Sequence, residues 1–264
     1  MAAVAARARS PFLPAIGGLI LLAWLTLLVW EQSPYGRYLD HGNWTEIGLA
    51  GSICRFLPAG GVVLPAVLHV GGWVLMIVAM MLPTILPLLA LFARLTADRP
   101  DRLALRTLLI AGYLAAWGAF GILVHLVDIG LHAVVAAVPW FAFNGWAIGA
   151  AVLAIAGAFQ FSAFKYRCLD RCRTPFSFVN RHWRGRAAGR AAFLLGADHG
   201  MFCVACCWAI MLVMFVVGTG SVGWMLAIGA VMAIEKNVSW GRHLSAPLGV
   251  ALLVAAAAIV AVEA

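Results

Sequence analysis

Charged residues are scarce in this sequence. Only 11% of its 264 residues are charged, whereas 64% are apolar, and the mean hydropathy is +0.99. A single water-soluble core cannot hide so much apolar surface, so a lipid bilayer is the expected solvent and a soluble enzyme is excluded. At about 20 apolar residues per spanning helix, the length allows roughly six to eight spans. We therefore expect residues 1–264 to form one integral membrane domain, with no separate soluble part.

The sequence also lacks the motifs that bind nucleotides or activate a nucleophile. No Walker loop, dinucleotide fingerprint or nucleophile elbow occurs in a suitable context, so ATP-driven pumping is not indicated. The net charge of +8 does not indicate nucleic acid as a partner, because the basic residues flank apolar runs. Membrane topology explains this charge better.

Seven apolar runs divide the chain. They are Phe12–Trp30, Val62–Phe92, Leu103–Leu126, Gly145–Phe164, Ala191–Val217, Val222–Ile234 and Ala246–Val262. The sixth run is short for a span, and residues 127–143 are expected to form an interfacial or re-entrant connection. The pattern predicts an all-α fold, a polytopic bundle of about seven transmembrane helices.

Basic residues fall almost entirely on one side of a seven-span arrangement. Sixteen lie at the amino terminus, in Arg94–Arg106, in Lys165–Arg190, and at Lys236 and Arg242. The other side holds only Arg37 and Arg55. Because cytoplasmic loops carry an excess of Lys and Arg, this asymmetry predicts a cytoplasmic amino terminus and an external carboxyl terminus.

Two groups contain five of the six cysteines. The first group is Cys168 and Cys172, which follow the fourth apolar run. Two residues four apart share a helix face if the fourth helix continues that far. Because thiolates bind soft metals and exchange disulfides, the pair indicates a metal or redox site. Surface thiols kept reduced in the cytosol are the alternative.

The second group lies inside the fifth apolar run. At about 100° per residue, His199, Cys203, Cys206 and Cys207 fall on one stripe of a helix. Gly196 and Gly200 lie on or near this stripe and would let a neighbouring helix approach closely. Cysteine also packs well as a small buried hydrophobe. Three thiols beside a histidine in an apolar segment nevertheless indicate a functional site, because polar groups are costly inside a membrane.

Two further features have both a structural and a functional interpretation. Met76 and Met80 share a face of the second span, where they are either packing residues or a thioether lining for Cu(I). Glu235 and Lys236 end the sixth run, and we expect them to form a local ion pair or an interface anchor.

Three blocks of the sequence resemble a bacterial family of predicted metal-binding integral membrane proteins. The blocks are the Trp/Met-rich segment Trp73–Pro83, the paired-cysteine segment Gln160–Pro175, and the segment His199–Lys236 with its Cys-x-x-Cys-Cys-Trp motif. The resemblance implies metal binding in the bacterial inner membrane without naming the metal. Ala205 replaces an expected glycine, and the turn after Val217 lacks a Met-Asn pair typical of the family.

We therefore hypothesise a membrane protein that binds and transfers a soft ion such as Cu(I) without ATP hydrolysis. Its intramembrane ligands would be Cys203, Cys206, Cys207 and His199, with Met76 and Met80 as lining and Cys168 and Cys172 as a cytoplasmic relay. Its partners would be the bilayer and a metallochaperone or a metalloprotein acceptor. A membrane thiol-disulfide oxidoreductase using Cys203 and Cys206 is one alternative. A structural or assembly partner of a membrane complex is the other.

Overall fold

A computed structural model of the chain describes residues 12–33, 63–183, 187–218 and 220–263. Within these ranges the chain is helical and contains no β-strand, which confirms the predicted all-α class. The helices are α1 (Phe12–Glu31), α2 (Val63–Met80), α3 (Leu86–Leu95), α4 (Arg102–Ala137), α5 (Pro139–Phe143), α6 (Trp146–Phe159), α7 (Ala163–Cys172), α8 (Pro175–His182), α9 (Ala188–Val217), α10 (Val222–Asn237) and α11 (Ser245–Glu263). Arg37, Arg55, Cys54 and the arginines before Phe12 lie outside the described residues.

Several of these helices have the length and composition of membrane spans. In the described part of the chain, α1, α4, α9 and the segment Gly241–Glu263 qualify individually. Two bent pairs, Val70–Met80 with Leu82–Leu95 and α6 with α7, raise the number to six if each pair is one span. The sixth predicted run forms α10, which has 16 residues. The count of seven therefore stays a prediction.

The segment between the third and fourth runs does not form the separate connection that we expected. Helix α4 continues to Ala137 and has 36 residues, so most of residues 127–143 extends the third helix. No proline or paired glycine interrupts this stretch before Pro139. Val138, immediately before that proline, adopts an extended conformation with φ −119° and ψ 96°, as is usual for a residue preceding proline. The helix thus ends at Ala137, because Pro139 keeps the preceding residue out of the helical conformation.

Proline also breaks the second predicted run. Helix α2 ends at Met80, a short 3₁₀ turn spans Leu82–Ile85, and the chain bends by 43° before continuing through α3. Pro83 and Pro87 have no backbone N–H and so cannot complete the α-helical hydrogen-bond ladder. At the break, the carbonyl of Met81 accepts a hydrogen bond from the Tyr113 hydroxyl at 3.2 Å. The bend thereby positions Tyr113 of α4.

Helix α9 packs closely against α4 through glycine. A Cβ at Gly196 would lie 1.9 Å from the carbonyl oxygen of Leu109, and one at Gly200 would lie 2.7 Å from the Cβ of Ala116. The predicted close approach at these two glycines is therefore confirmed. Because the contacts advance in the same order along both helices, α4 and α9 run parallel, as the third and fifth spans of an alternating chain would.

Helices α6 and α11 form a second close pair. A Cβ at Gly157 would lie 2.8 Å from the side chain of Leu253, and one at Gly249 would lie 2.8 Å from the Cβ of Gln160. The order of contacts is reversed between the two helices, so α6 and α11 are antiparallel. This relation is the one expected between a fourth and a seventh span.

Candidate metal centre

The stripe predicted on the fifth run faces the interior of the bundle. Side chains of His199, Cys203, Cys206 and Cys207 are each at most 2% exposed. Helix α9 is the central helix. Of its most apolar 18-residue stretch, 56% is buried, against 22% or less in α1, α4 and the segment Gly241–Glu263. The cysteines therefore lie among protein side chains and not on the outer surface.

Cys203 lies between two polar side chains from other helices. Its Sγ lies 3.0 Å from the hydroxyl of Tyr113 on α4 and 2.7 Å from the Nζ of Lys236 on α10. A lysine ammonium has donors and no acceptor, so the sulfur accepts from Lys236. Lys236 thus brings a positive charge into direct contact with the Cys203 sulfur.

Cys206 connects the remaining thiols. Its Sγ lies 3.4 Å from the Sγ of Cys207 and 3.9 Å from the Sγ of Cys172 on α7. Its thiol also donates to the carbonyl oxygen of Cys203 at 3.2 Å. Cys172, Cys203, Cys206 and Cys207, here called the sulfur cluster, thus join both cysteine groups in one buried place.

A sharp bend after α6 brings Cys172 into this cluster. The fourth helix ends before the first cysteine pair, because the chain turns by 67° between α6 and α7. Ser162 caps the new helix by accepting a hydrogen bond from the backbone N–H of Lys165 at 3.1 Å. Cys168 and Cys172 still share a face of α7, and both are buried. The alternative that they are surface thiols is therefore wrong.

The sulfur spacing lets two thiols reach one metal ion. With metal–sulfur bonds of about 2.3 Å, two sulfurs 3.9 Å apart subtend an angle of about 120° at the ion. Within the described ranges, no group of three or more His, Cys, Asp or Glu side chains is arranged to hold a metal. Among the described residues, the geometry thus offers pairs of sulfurs within reach of one ion.

His199 lies one helical turn before Cys203. Its ring makes an edge contact with Phe178 of α8 at 4.8 Å between centroids, and lies 6.2 Å from the ring of Tyr113. Its Nδ1 is buried and has no hydrogen-bond partner among the described residues. Because a buried unpaired ring nitrogen is unusual, this atom is a candidate for metal binding after rotation of the ring.

The two methionines of α2 are buried in the same hydrophobic core as the cysteines. Met80 lies against Gly229 of α10, where a Cβ would be 3.5 Å from the methionine side chain. Gly229 is seven residues before Lys236 and on the same helical face, roughly 10 Å along the axis. Met76 lies one turn earlier on α2. Met80 therefore packs on the same face of α10 that carries Lys236.

A buried polar network adjoins the sulfur cluster. The ammonium of Lys165 contacts a carboxylate oxygen of Glu235 at 2.7 Å and also donates to Gln160. The same carboxylate oxygen accepts from the hydroxyl of Ser245 at 2.6 Å. Lys165 and Glu235 have fully buried side chains. This ion pair connects α7 to α10.

The expectation of a local pair between Glu235 and Lys236 is wrong. Adjacent residues on a helix point about 100° apart, so Glu235 turns to Lys165 while Lys236 turns to Cys203. Sequence reasoning also missed Tyr113 as a contact of the cluster. The available signal was the occurrence of an acid, a base and a tyrosine in otherwise apolar helices.

Fold and site together define an all-helical protein with a buried cluster of free thiols. Residues 70–259 match the family PpoB2, described as a copper chaperone. Because this match covers more than half of the chain, the protein belongs to the PpoB2 copper chaperone family, and membership indicates a copper-handling role. A search of curated proteins and a search of solved structures gave no match.

Proposed function

We propose that this protein is an integral membrane copper chaperone that receives Cu(I) at the sulfur cluster and passes it to an acceptor metalloprotein. The observation that carries the proposal is the meeting of Cys172 from α7 with Cys206 and Cys207 from α9, at sulfur separations of 3.9 and 3.4 Å. Membership of a copper chaperone family supports copper as the cargo. Soft thiolates also prefer soft ions such as Cu(I).

The other candidate residues have secondary roles in this proposal. Cys168 lies one turn before Cys172 on α7 and is the relay through which the ion reaches the cluster. His199 is a supplementary ligand through its unpaired Nδ1. Met76 and Met80 form a thioether lining along α10. Transfer proceeds by exchange of ligands, which needs no ATP hydrolysis.

A multi-pass location in the bacterial inner membrane is part of the proposal. Large apolar side chains such as Leu22, Ile122 and Val254 are exposed on the outside of the bundle, where lipid would cover them. The parallel course of α4 and α9 and the antiparallel course of α6 and α11 agree with alternating spans. The many basic residues of the segment Lys165–Arg190 and Arg242 support a cytoplasmic location for these parts of the chain by the positive-inside rule.

Elemental analysis of protein purified in detergent under reducing conditions tests the copper site. We expect stoichiometric copper in the unmodified protein and its loss in a variant with Cys203, Cys206 and Cys207 all changed to Ser. Cys54→Ser is the matched control, because it removes a thiol that belongs to neither cysteine group, and it should retain copper. Well-folded unmodified protein without copper would refute the proposed function.

A redox function is the second candidate. Two sulfurs 3.9 Å apart, Cys172 and Cys206, need to approach by about 1.9 Å to form a disulfide bond of about 2.0 Å. Cysteine alkylation and mass spectrometry, before and after treatment with a membrane quinone, would distinguish the two. Reversible formation of a Cys172–Cys206 or Cys203–Cys206 disulfide would favour the oxidoreductase. Thiols that stay reduced while copper binds would favour the chaperone.

A further inference from the structure

The sulfur cluster lies beside a buried positive charge that contacts no carboxylate among the described residues. Lys165 and Glu235 neutralise each other in a fully buried pair. Lys236 is 5% exposed, and its ammonium contacts the sulfur of Cys203 at 2.7 Å. The charge of Lys236 is thus directed at the candidate metal site.

The positive charge of Lys236 affects which metal ion the thiolates bind more tightly. With two thiolates, Cu(I) forms a complex of charge −1, which Lys236 neutralises. A divalent ion with the same ligands forms a neutral complex, so the ammonium next to it stays uncompensated. With any number of thiolates, the lysine faces one more positive charge when the ion is divalent. Burial makes that extra charge costly.

We propose that Lys236 is a specificity-determining residue, which selects monovalent Cu(I) against divalent ions at the sulfur cluster. The proposal rests on the proposed copper function and adds a reason for its selectivity. Softness alone does not provide that selectivity, since thiolates also bind divalent zinc well.

The size of the effect follows from distance. The 2.7 Å contact between Lys236 and Cys203 and a metal–sulfur bond of about 2.3 Å put the ammonium at most about 5 Å from an ion bound to Cys203. In surroundings with an effective dielectric constant of about 20, a unit charge at that distance changes the ratio of two affinities by roughly 100-fold.

Competition between Ag(I) and Cd(II) isolates this effect, because both are soft, thiol-binding ions with the same electron count and differ by one charge. The protein, purified in detergent and fully reduced, is given an equimolar mixture, and the bound Ag:Cd ratio is measured. We expect the unmodified protein to prefer Ag(I), and K236M and K236Q to lower the ratio by roughly 100-fold. K236R should keep the preference because it retains the charge.

The double variant K165M/E235Q is the matched control. It removes one buried cation and one buried anion, so the net charge is unchanged, and the Ag:Cd ratio should stay within a few fold of the original. An unchanged ratio in a folded neutral variant of Lys236 would overturn the proposal, as would equal binding of both ions by the unmodified protein. Failure of the unmodified protein to bind either ion would instead refute the copper site itself.

Discussion

Replacement of Gly196 by alanine should separate the two helices that form the centre of the bundle. The added Cβ would lie 1.9 Å from the carbonyl oxygen of Leu109, whereas an ordinary contact needs about 3.5 Å. The backbone of α4 cannot rotate out of the way as a side chain can. Helices α4 and α9 would therefore have to move apart by about 1.5 Å, which weakens packing along their whole interface.

The cost of this separation can be estimated. Overpacking of a core usually costs about 1–3 kcal/mol, and a clash with backbone falls at the upper end or beyond. Removing a glycine from a helix contributes about 0.5–1 kcal/mol in the opposite direction. We expect Gly196→Ala to lower the free energy of unfolding by about 2 kcal/mol or more.

Gly118→Ala on α4 is the matched control, since a Cβ there would meet nothing within 4 Å. Its midpoint of thermal unfolding should equal or exceed that of the unmodified protein, because only the helix-propensity gain remains. Circular dichroism of detergent-purified protein during heating provides the comparison. Equal stability of the Gly196 and Gly118 variants would refute the close packing of α4 on α9.

Three further predictions concern the charges and the cargo. Cys172→Ala should lower copper affinity by at least tenfold while Cys54→Ala does not, as measured with a Cu(I)-binding competitor dye; equal affinities would place Cys172 outside the site. Glu235→Gln should destabilise the protein by about 3 kcal/mol or more because it leaves the Lys165 ammonium buried without its carboxylate. Adding Lys165→Met should recover part of that loss in a double-mutant cycle, and purely additive effects would contradict the pairing. Removal of copper with a Cu(I) chelator should lower the unfolding free energy by about 2.7 kcal/mol for protein previously loaded at 100 times Kd, and unchanged melting would show that copper binds elsewhere or not at all.

The buried charged side chains near the cysteines explain why the thiols should not be considered alone. Lys236 contacts Cys203, and the Lys165–Glu235 pair lies on the adjoining helices α7 and α10. Copper delivery requires an ion to be held and then released. A counter-charge beside the ligands stabilises the anionic thiolate complex without adding a ligand that would have to be removed. On the proposed function, Lys236 therefore acts together with the thiols, whereas the Lys165–Glu235 pair holds α7 against α10.

Features that depend on near neighbours in the chain could be predicted from the sequence. The spacing of His199, Cys203, Cys206 and Cys207 places them on one stripe because an α-helix repeats every 3.6 residues. Pro83 interrupts the second run because it has no N–H to donate. Apolar runs longer than a soluble core needs indicate membrane helices. These properties follow from local geometry and composition alone.

Features that depend on how helices meet were decided by the tertiary structure. The bend after α6 turns Cys172 toward Cys206, 34 residues later. Packing of α4 and α10 around α9 directs Tyr113 and Lys236 at Cys203, across 90 and 33 residues. A sequence pattern specifies which face of a helix carries a thiol, but the partner opposite that face depends on the close approach of whole helices. The sequence by itself therefore determined the stripe of His199 and the three cysteines, and only the packing decided which charges and thiols lie against it.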